Sequence, residues 1–216
     1  MSDNINPLES LKDIKSIMER SSRFITLSGK SGIAAGIIGL ASAFIAHTII
    51  TKYYNNYNQR GFWTVTDFKH LEFTLFTLGI ATIALAFTAG FYFTWQKAKK
   101  DGITIWNSSS KRLLLNLCIP LAAGGIFIIG MLANDEWLFI GPACLIFYGL
   151  SLINGSKYTY DDIRYLGILE IALGSINLFY IGYGLYFWAI GFGLLHIIYG
   201  IIMWNKYDRQ SDAQPN

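Results

Sequence analysis

Apolar residues run in long blocks along this chain, and the polar residues collect between the blocks instead of alternating within them. The blocks fall at 32–51, 71–95, 112–133, 137–153, 163–181 and 185–204. Each holds close to the roughly 20 residues that cross a hydrocarbon core about 30 Å thick. A single segment in lipid must satisfy its own backbone hydrogen bonds, so each block is expected to be a helix. The pattern therefore predicts six transmembrane helices. Only Gly182, Tyr183 and Gly184 separate the last two blocks, a turn so short that they form an antiparallel hairpin.

That hairpin reads as one copy of a repeat. Setting Arg112 on Arg164, an offset of 52 residues, brings Leu114 onto Leu166, Leu117 onto Leu169, Ile119 onto Ile171, Phe127 onto Phe179 and Gly130 onto Gly182. After a two-residue slip, Tyr148 and Gly149 answer Tyr199 and Gly200. The first pair of blocks is more diverged, and only Ile38-Gly-Leu-Ala-Ser matches Ile171-Ala-Leu-Gly-Ser. Self-similarity at a fixed period points to three consecutive hairpins. Apolar, Gly-rich helices also resemble one another without a repeat, and that alternative stays open.

Ahead of the first block the pattern changes. Within 7–28, Leu8, Leu11, Ile14, Met18 and Ile25 recur at helical spacing, with Glu9, Lys12, Asp13, Lys15, Glu19, Arg20 and Arg23 on the other face. Asn6, Pro7 and Glu9 suit a helix start, and Gly29 its stop. This predicts an amphipathic cytoplasmic helix within 1–30. Its apolar stripe docks a partner, rests in the membrane interface, or packs on the bundle itself. Its charges nearly balance, so attraction to anionic lipid is weak. The first apolar block starts too far from Met1 for a secretory signal and reads as a permanent span. Residues 208–216 read as a disordered tail.

Composition and charge sharpen the class. With 53% hydrophobic, 16% aromatic and 14% charged residues, the chain is far from the soluble average. A cytoplasmic N-terminus puts 14 of the 17 Lys and Arg residues on the inner side and leaves Lys52, Arg60 and Lys69 outside. Positive residues favour the cytoplasmic side. The expectation is a multi-pass protein of the bacterial inner membrane with both termini cytoplasmic. The one long outer loop, 53–70, carries Tyr53, Tyr54, Tyr57, Phe62 and Trp63 as an interfacial aromatic belt. Asn134, Asp135 and Glu136 suggest a tight outer turn that also caps the fourth span. Thr159 and Asp162 have capping-box spacing before the fifth.

Candidate chemistry is sparse. There is no His-x-x-Glu-His, Ser–His or paired-carboxylate arrangement and no phosphate-cradling glycine loop, so no enzymatic activity and no cofactor are expected. Cys118 and Cys144 lie in apolar runs without metal or redox spacing and read as reduced packing residues. The basic loop 97–112 suits anionic lipid headgroups, not nucleic acid.

What remains is an intramembrane polar set of Glu170, His196 and Asn116. Glu170 lies six residues past Arg164, about 9 Å into the bilayer at about 1.5 Å per residue. His196 lies eight residues before Trp204, about 12 Å from the same face. Ionisable groups at such depth are costly and are functional candidates. They read either as structural hydrogen bonds between helices or as a site of proton coupling or ligand coordination. Glu170 is 12 residues before Gly182 and His196 is 12 after Gly184, so the two are level on neighbouring arms. A pairing between them is expected, with Asn116 as the next partner in line.

The stretches ERSSRFITLSGKSG, CLIFYGLSLINGSKYT and GYGLYFWAIGFGLLHIIYGIIM resemble segments of small six-span inner-membrane proteins of Bacteroidota. In architecture alone, the triple hairpin is similar to the HdeD-like acid-resistance membrane proteins. The amphipathic N-terminal helix and the long first outer loop depart from that likeness. No activity and no binding motif come with either resemblance. The sequence thus reads as an all-α integral membrane bundle of six helices behind an amphipathic N-terminal helix. Its partners are the lipid bilayer and either another protein or further copies of itself. One functional expectation is a structural or signalling membrane component that docks a partner through 7–28. The other is a small transporter or channel using Glu170 and His196.

Overall fold

The computed structural model describes Phe24, residues 27–62 and residues 64–209. The stripe of Leu8, Leu11, Ile14, Met18 and Ile25, together with Trp63 and residues 210–216 of the expected tail, lies outside the described residues, while Asp208, expected to begin that tail, ends the last helix instead. Among the described residues all regular structure is helical. Helix α1 is Gly29–Arg60, α2 Val65–Lys100, α3 Ser108–Ala133, α4 Ile140–Ser156, α5 Asp162–Phe179 and α6 Gly184–Asp208. Five of these are long and apolar enough to cross a membrane, α4 counting with the 3-10 turn Trp137–Phe139 that leads into it. The exception is α5, with only 18 residues, among them Asp162, Arg164 and Glu170.

Helix ends depart from the sequence reading in several places. Gly29 does not stop a helix; it opens α1, with the Ser28 side chain accepting from the Lys30 N–H. The outer loop 53–70 shrinks to a four-residue turn at 61–64. No Gly or Pro interrupts the chain between Gly39 and Gly61, so α1 runs on until Gly61 takes a left-handed φ of 76°. Thr64 and Asp67 then form a capping box that starts α2. Helices of 32 and 36 residues are about 48 and 54 Å long, well beyond a core of about 30 Å. Asn134 does not cap α4; its amide donates to the Gly130 carbonyl at the end of α3. Nor does Thr159 cap α5, since its hydroxyl donates to the carbonyl of Phe24.

The bundle has a turn face, holding 61–64, 134–136 and 180–183, and a termini face, holding Ser28, 101–107, 157–161 and Asp208. Helices α4 and α5 make the most extensive pairing, α1 packs on α2 and α6, and α3 packs on α4. Small residues make the seams. A Cβ on Gly149 would stand 2.6 Å from the Gly167 carbonyl oxygen and 2.7 Å from Ile171 Cγ1. A Cβ on Gly36 would meet the Gly193 carbonyl and Ile197 Cγ1, each at 2.6 Å. Lipid tails are as apolar as Leu, so close backbone approach and interhelical hydrogen bonds hold such helices together. Thr82 donates to Ser42 between α2 and α1 (2.6 Å), and Ser151 and Asn154 of α4 donate to the Leu117 and Asn116 carbonyls of α3 (2.7 and 2.9 Å).

Two features close the termini half of the bundle. Leu152, Ile163, Leu166 and Met203 form a buried apolar cluster edged by Tyr148, Leu195 and Tyr199. Beyond it, Lys97 donates to Asp208 Oδ1 at 2.7 Å and to the Leu27 carbonyl at 3.1 Å, while the Ser28 hydroxyl and Gly29 N–H donate to Asp208 Oδ2 at 2.9 and 3.0 Å. Asp208 therefore neutralises a lysine and caps the exposed N–H groups of α1 at once. This clasp ties the ends of α1, α2 and α6 together.

Candidate functional site

Helix α5 buries Ile163, Leu166, Gly167, Glu170, Gly174 and Asn177, a stripe with the three- and four-residue spacing of one helix face. Glu170 stands in the middle of that stripe and is 0% exposed. Facing it is an irregular part of α6, which widens into a π-helical segment over Ala189–Leu195 before resuming as an α-helix at His196. Segments of this kind are frequent at functional sites. Gly191 within it gives the carboxylate its space: a Cβ there would lie 2.5 Å from Glu170 Oε2 and 2.5 Å from Leu145 Cδ2.

His196 closes the widened turn from below. Its Nδ1 lies 2.9 Å from the Gly191 carbonyl, and its Nε2 lies 2.7 Å from the Tyr148 hydroxyl of α4. A carbonyl only accepts, so Nδ1 carries a proton. In the neutral ring Nε2 then accepts from the Tyr148 O–H; in the imidazolium it donates to the same oxygen. The ring is also held between aromatic neighbours, Tyr148 at 5.4 Å and Phe192 at 6.0 Å between centroids. Glu170 Oε1 stands 3.5 Å from Nδ1, close enough for an ion pair with the protonated ring but too long for a strong hydrogen bond.

Among the described residues neither carboxyl oxygen of Glu170 has a hydrogen-bond partner, and neither has Asn177 Oδ1. Leaving a buried polar atom unpaired costs on the order of 1–3 kcal/mol, and more for a charged group. The bundle therefore retains an unfavourable group at its centre, beside an imidazole that is bonded on both sides. Such a pair can accept, hold and release a proton. No cluster of three or more His, Cys, Asp or Glu among the described residues is placed to hold a metal ion.

The third residue of the sequence-based set does not join. Asn116 lies on α3, which packs on α4, and its side-chain amide donates to the Arg112 carbonyl of its own helix at 2.8 Å. Its depth suits the cluster, but its helix is on the wrong side of α4. Three residues at or near the site went unmarked in the sequence reading. Tyr148 is hidden as one of 13 tyrosines, Asn177 reads as a helix-end polar residue, and Leu145 as one apolar residue among many. For Tyr148 a signal existed, its place beside Gly149 in a pair that recurs as Tyr199 and Gly200.

Two cavities lie elsewhere. One of about 370 Å³ opens between the turn-face ends of α1 and α2, lined by Lys52, Tyr53, Arg60, Asp67 and His70. A smaller one of about 120 Å³ sits beside the Lys97 and Asp208 clasp. Neither reaches Glu170. No protein-family model, curated protein or solved structure shows a significant match to this chain.

Proposed function

We propose that the protein is a six-span inner-membrane protein with cytoplasmic termini that moves protons through Glu170 and His196, as a small transporter or channel. In this reading α5 also crosses, bringing the spans to six, and its Asp162 and Arg164 sit at the cytoplasmic surface. The distribution of Lys and Arg favours the orientation. The single observation behind the activity is a fully buried carboxylate with no hydrogen-bond partner among the described residues, 3.5 Å from a histidine already bonded at both nitrogens. The step balances in protons. The imidazolium gives its Nδ1 proton to the Glu170 carboxylate at Oε1, leaving a neutral ring protonated at Nε2 and a neutral carboxyl, and the reverse transfer restores both. Bringing these atoms into a hydrogen bond of about 2.8 Å needs a rocking of the ring of about 0.7 Å.

Reconstituted proteoliposomes with an entrapped pH-sensitive dye test the proposal. Under an imposed potassium diffusion potential the wild-type protein acidifies or alkalinises the lumen, and Glu170→Gln and His196→Leu remove that signal. Wild-type vesicles no leakier than protein-free ones would overturn it.

A second reading has its own observation. The site is tightly packed, with Glu170 Oε2 and Leu145 Cδ2 both against Gly191, and Phe24, just ahead of α1, is buried and donates its N–H to the Tyr158 carbonyl at 2.7 Å. In this alternative the protein is a structural or signalling component, Glu170 and His196 join two helices, and the apolar stripe within 7–28 meets a partner. Vesicles without proton flux, together with a specific protein that copurifies and is lost on Leu11→Asp with Met18→Asp, support this alternative.

A further inference from the structure

The barriers on the two sides of Glu170 are unequal. Toward the termini face stand the four buried side chains Leu152, Ile163, Leu166 and Met203 and their aromatic edge. Toward the turn face the packing is thinner: α4 sets Leu145 and Ile146 against Gly174, with Ile146 Cγ1 2.7 Å from where a Gly174 Cβ would be, and of the two Leu145 alone also reaches Gly191. Leu145 of α4 is fully buried, its Cβ 3.0 Å from where a Gly174 Cβ would be and its Cδ2 at 2.5 Å from a Cβ on Gly191, the same point that Glu170 Oε2 approaches. Leu145 thus fills the space between α5 and α6 directly above the carboxylate.

Beyond Leu145 the lining turns polar again. Asn177 is two turns further along the buried stripe of α5, about 10 Å from Glu170 along the axis, and is 1% exposed. Its amide N–H donates to the Tyr180 carbonyl at 3.1 Å, which leaves Oδ1 free of partners among the described residues. That oxygen faces glycine on two sides, 3.5 Å from a Cβ on Gly141 and 3.7 Å from one on Gly184. Tyr180 and the turn after it are exposed. Two unpartnered buried oxygen sites therefore stand in file from the turn face inward, and buried polar atoms without protein partners are where water bonds.

We propose that Glu170 exchanges its proton with the turn face, through water relayed at Asn177, and that Leu145 is the gate between them. Rotation of this one leucine side chain joins water at Asn177 Oδ1 to the carboxylate. While it does so, the cluster and the Lys97 clasp close the termini side, so that the carboxylate is open to one face at a time. This inference rests on the reading of Glu170 as a proton site and names the side from which that site is served.

Sided labelling of Glu170 tests it without any measurement of flux. A water-soluble carbodiimide, which reacts with a protonated carboxyl, is added to one face of sealed vesicles, and modification of Glu170 is read by peptide mass spectrometry. An impermeant thiol label on Phe62→Cys shows which vesicles expose the turn face. Expected are labelling from the turn face, a rise on the order of tenfold with Leu145→Ala, and a comparable fall with Asn177→Leu. Leu152→Ala, on the closed side, leaves the rate unchanged. Leu145→Val serves as the milder variant if Leu145→Ala does not fold. Faster labelling from the termini face, or a Leu145→Ala or Leu145→Val rate equal to that of the wild type, overturns the proposal. Turn-face labelling in a protein without proton flux leaves the access route standing and removes the transport reading; flux with termini-face labelling does the reverse.

Discussion

Replacing Gly149 by Ala tests what holds the bundle together. The methyl would start 2.6 Å from the Gly167 carbonyl oxygen and 2.9 Å from the Ile171 backbone N, both parts of the facing helix that have no rotamer to escape into. Reaching an ordinary contact of 3.4 Å requires α4 and α5 to part by about 0.8 Å at the crossing, and a radial gap of about 0.5–1 Å forfeits a quarter to a half of each dispersion contact. The expected net loss is about 1–3 kcal/mol, as for overpacked cores. Helix propensity acts the other way, since Ala is favoured over Gly by about 1 kcal/mol. Gly125→Ala isolates that opposing effect, because nothing stands within 4 Å of a Cβ there. Thermal unfolding in a mild detergent should place Gly149→Ala below the wild type and Gly125→Ala level with it or above. The contact is reciprocal, a Cβ on Gly167 lying 2.7 Å from the Gly149 carbonyl oxygen, so the double variant should lose less than the two single losses combined. A Gly149→Ala protein as stable as Gly125→Ala would refute close approach as the force that pairs α4 with α5.

Three further outcomes are expected. Phe62→Cys, in the turn 61–64, should react with an impermeant thiol reagent in intact spheroplasts and Ile103→Cys only after lysis; the opposite pattern reverses the orientation. Glu170→Gln and His196→Leu should each lower stability in detergent, and the double variant should fall short of their sum by about 0.5–2 kcal/mol; strict additivity removes any coupling between the two residues. Asp208→Asn should lower stability by about 1.5–3 kcal/mol, the range for hydrogen bonds to charged groups, because Lys97 keeps its charge without its counter-ion. Lys97→Met with Asp208→Leu should recover part of that loss, and a double variant weaker than Asp208→Asn alone would show that the clasp contributes more than its ion pair.

The positions of the long helices were legible in the sequence, because a segment in lipid has no backbone partner but itself and an apolar block long enough to cross must coil. Axial height was legible too: equal spacing from the Gly182 turn put Glu170 and His196 level, and they stand 3.5 Å apart. Three things were decided elsewhere. The ends of α1 and α2 depend on where a left-handed glycine and a capping box fall, so a stretch read as loop became helix. The widening of α6 at Ala189–Leu195, where Gly191 meets Glu170 and Leu145 and Gly193 meets Leu40 of α1, has no mark in the apolar pattern. Rotation about each axis was hidden altogether, which is why Asn116, at the right depth, faces away from the cluster while Tyr148 bonds His196 and Asn177 shares the buried stripe of Glu170. In a soluble protein the apolar stripe of a helix reports which side is buried. Here every side is apolar, so the buried faces are chosen by glycine and small polar residues meeting partners far away in sequence, Gly36 with Gly193 and Ser28 with Asp208. Those meetings exist only once the helices have packed.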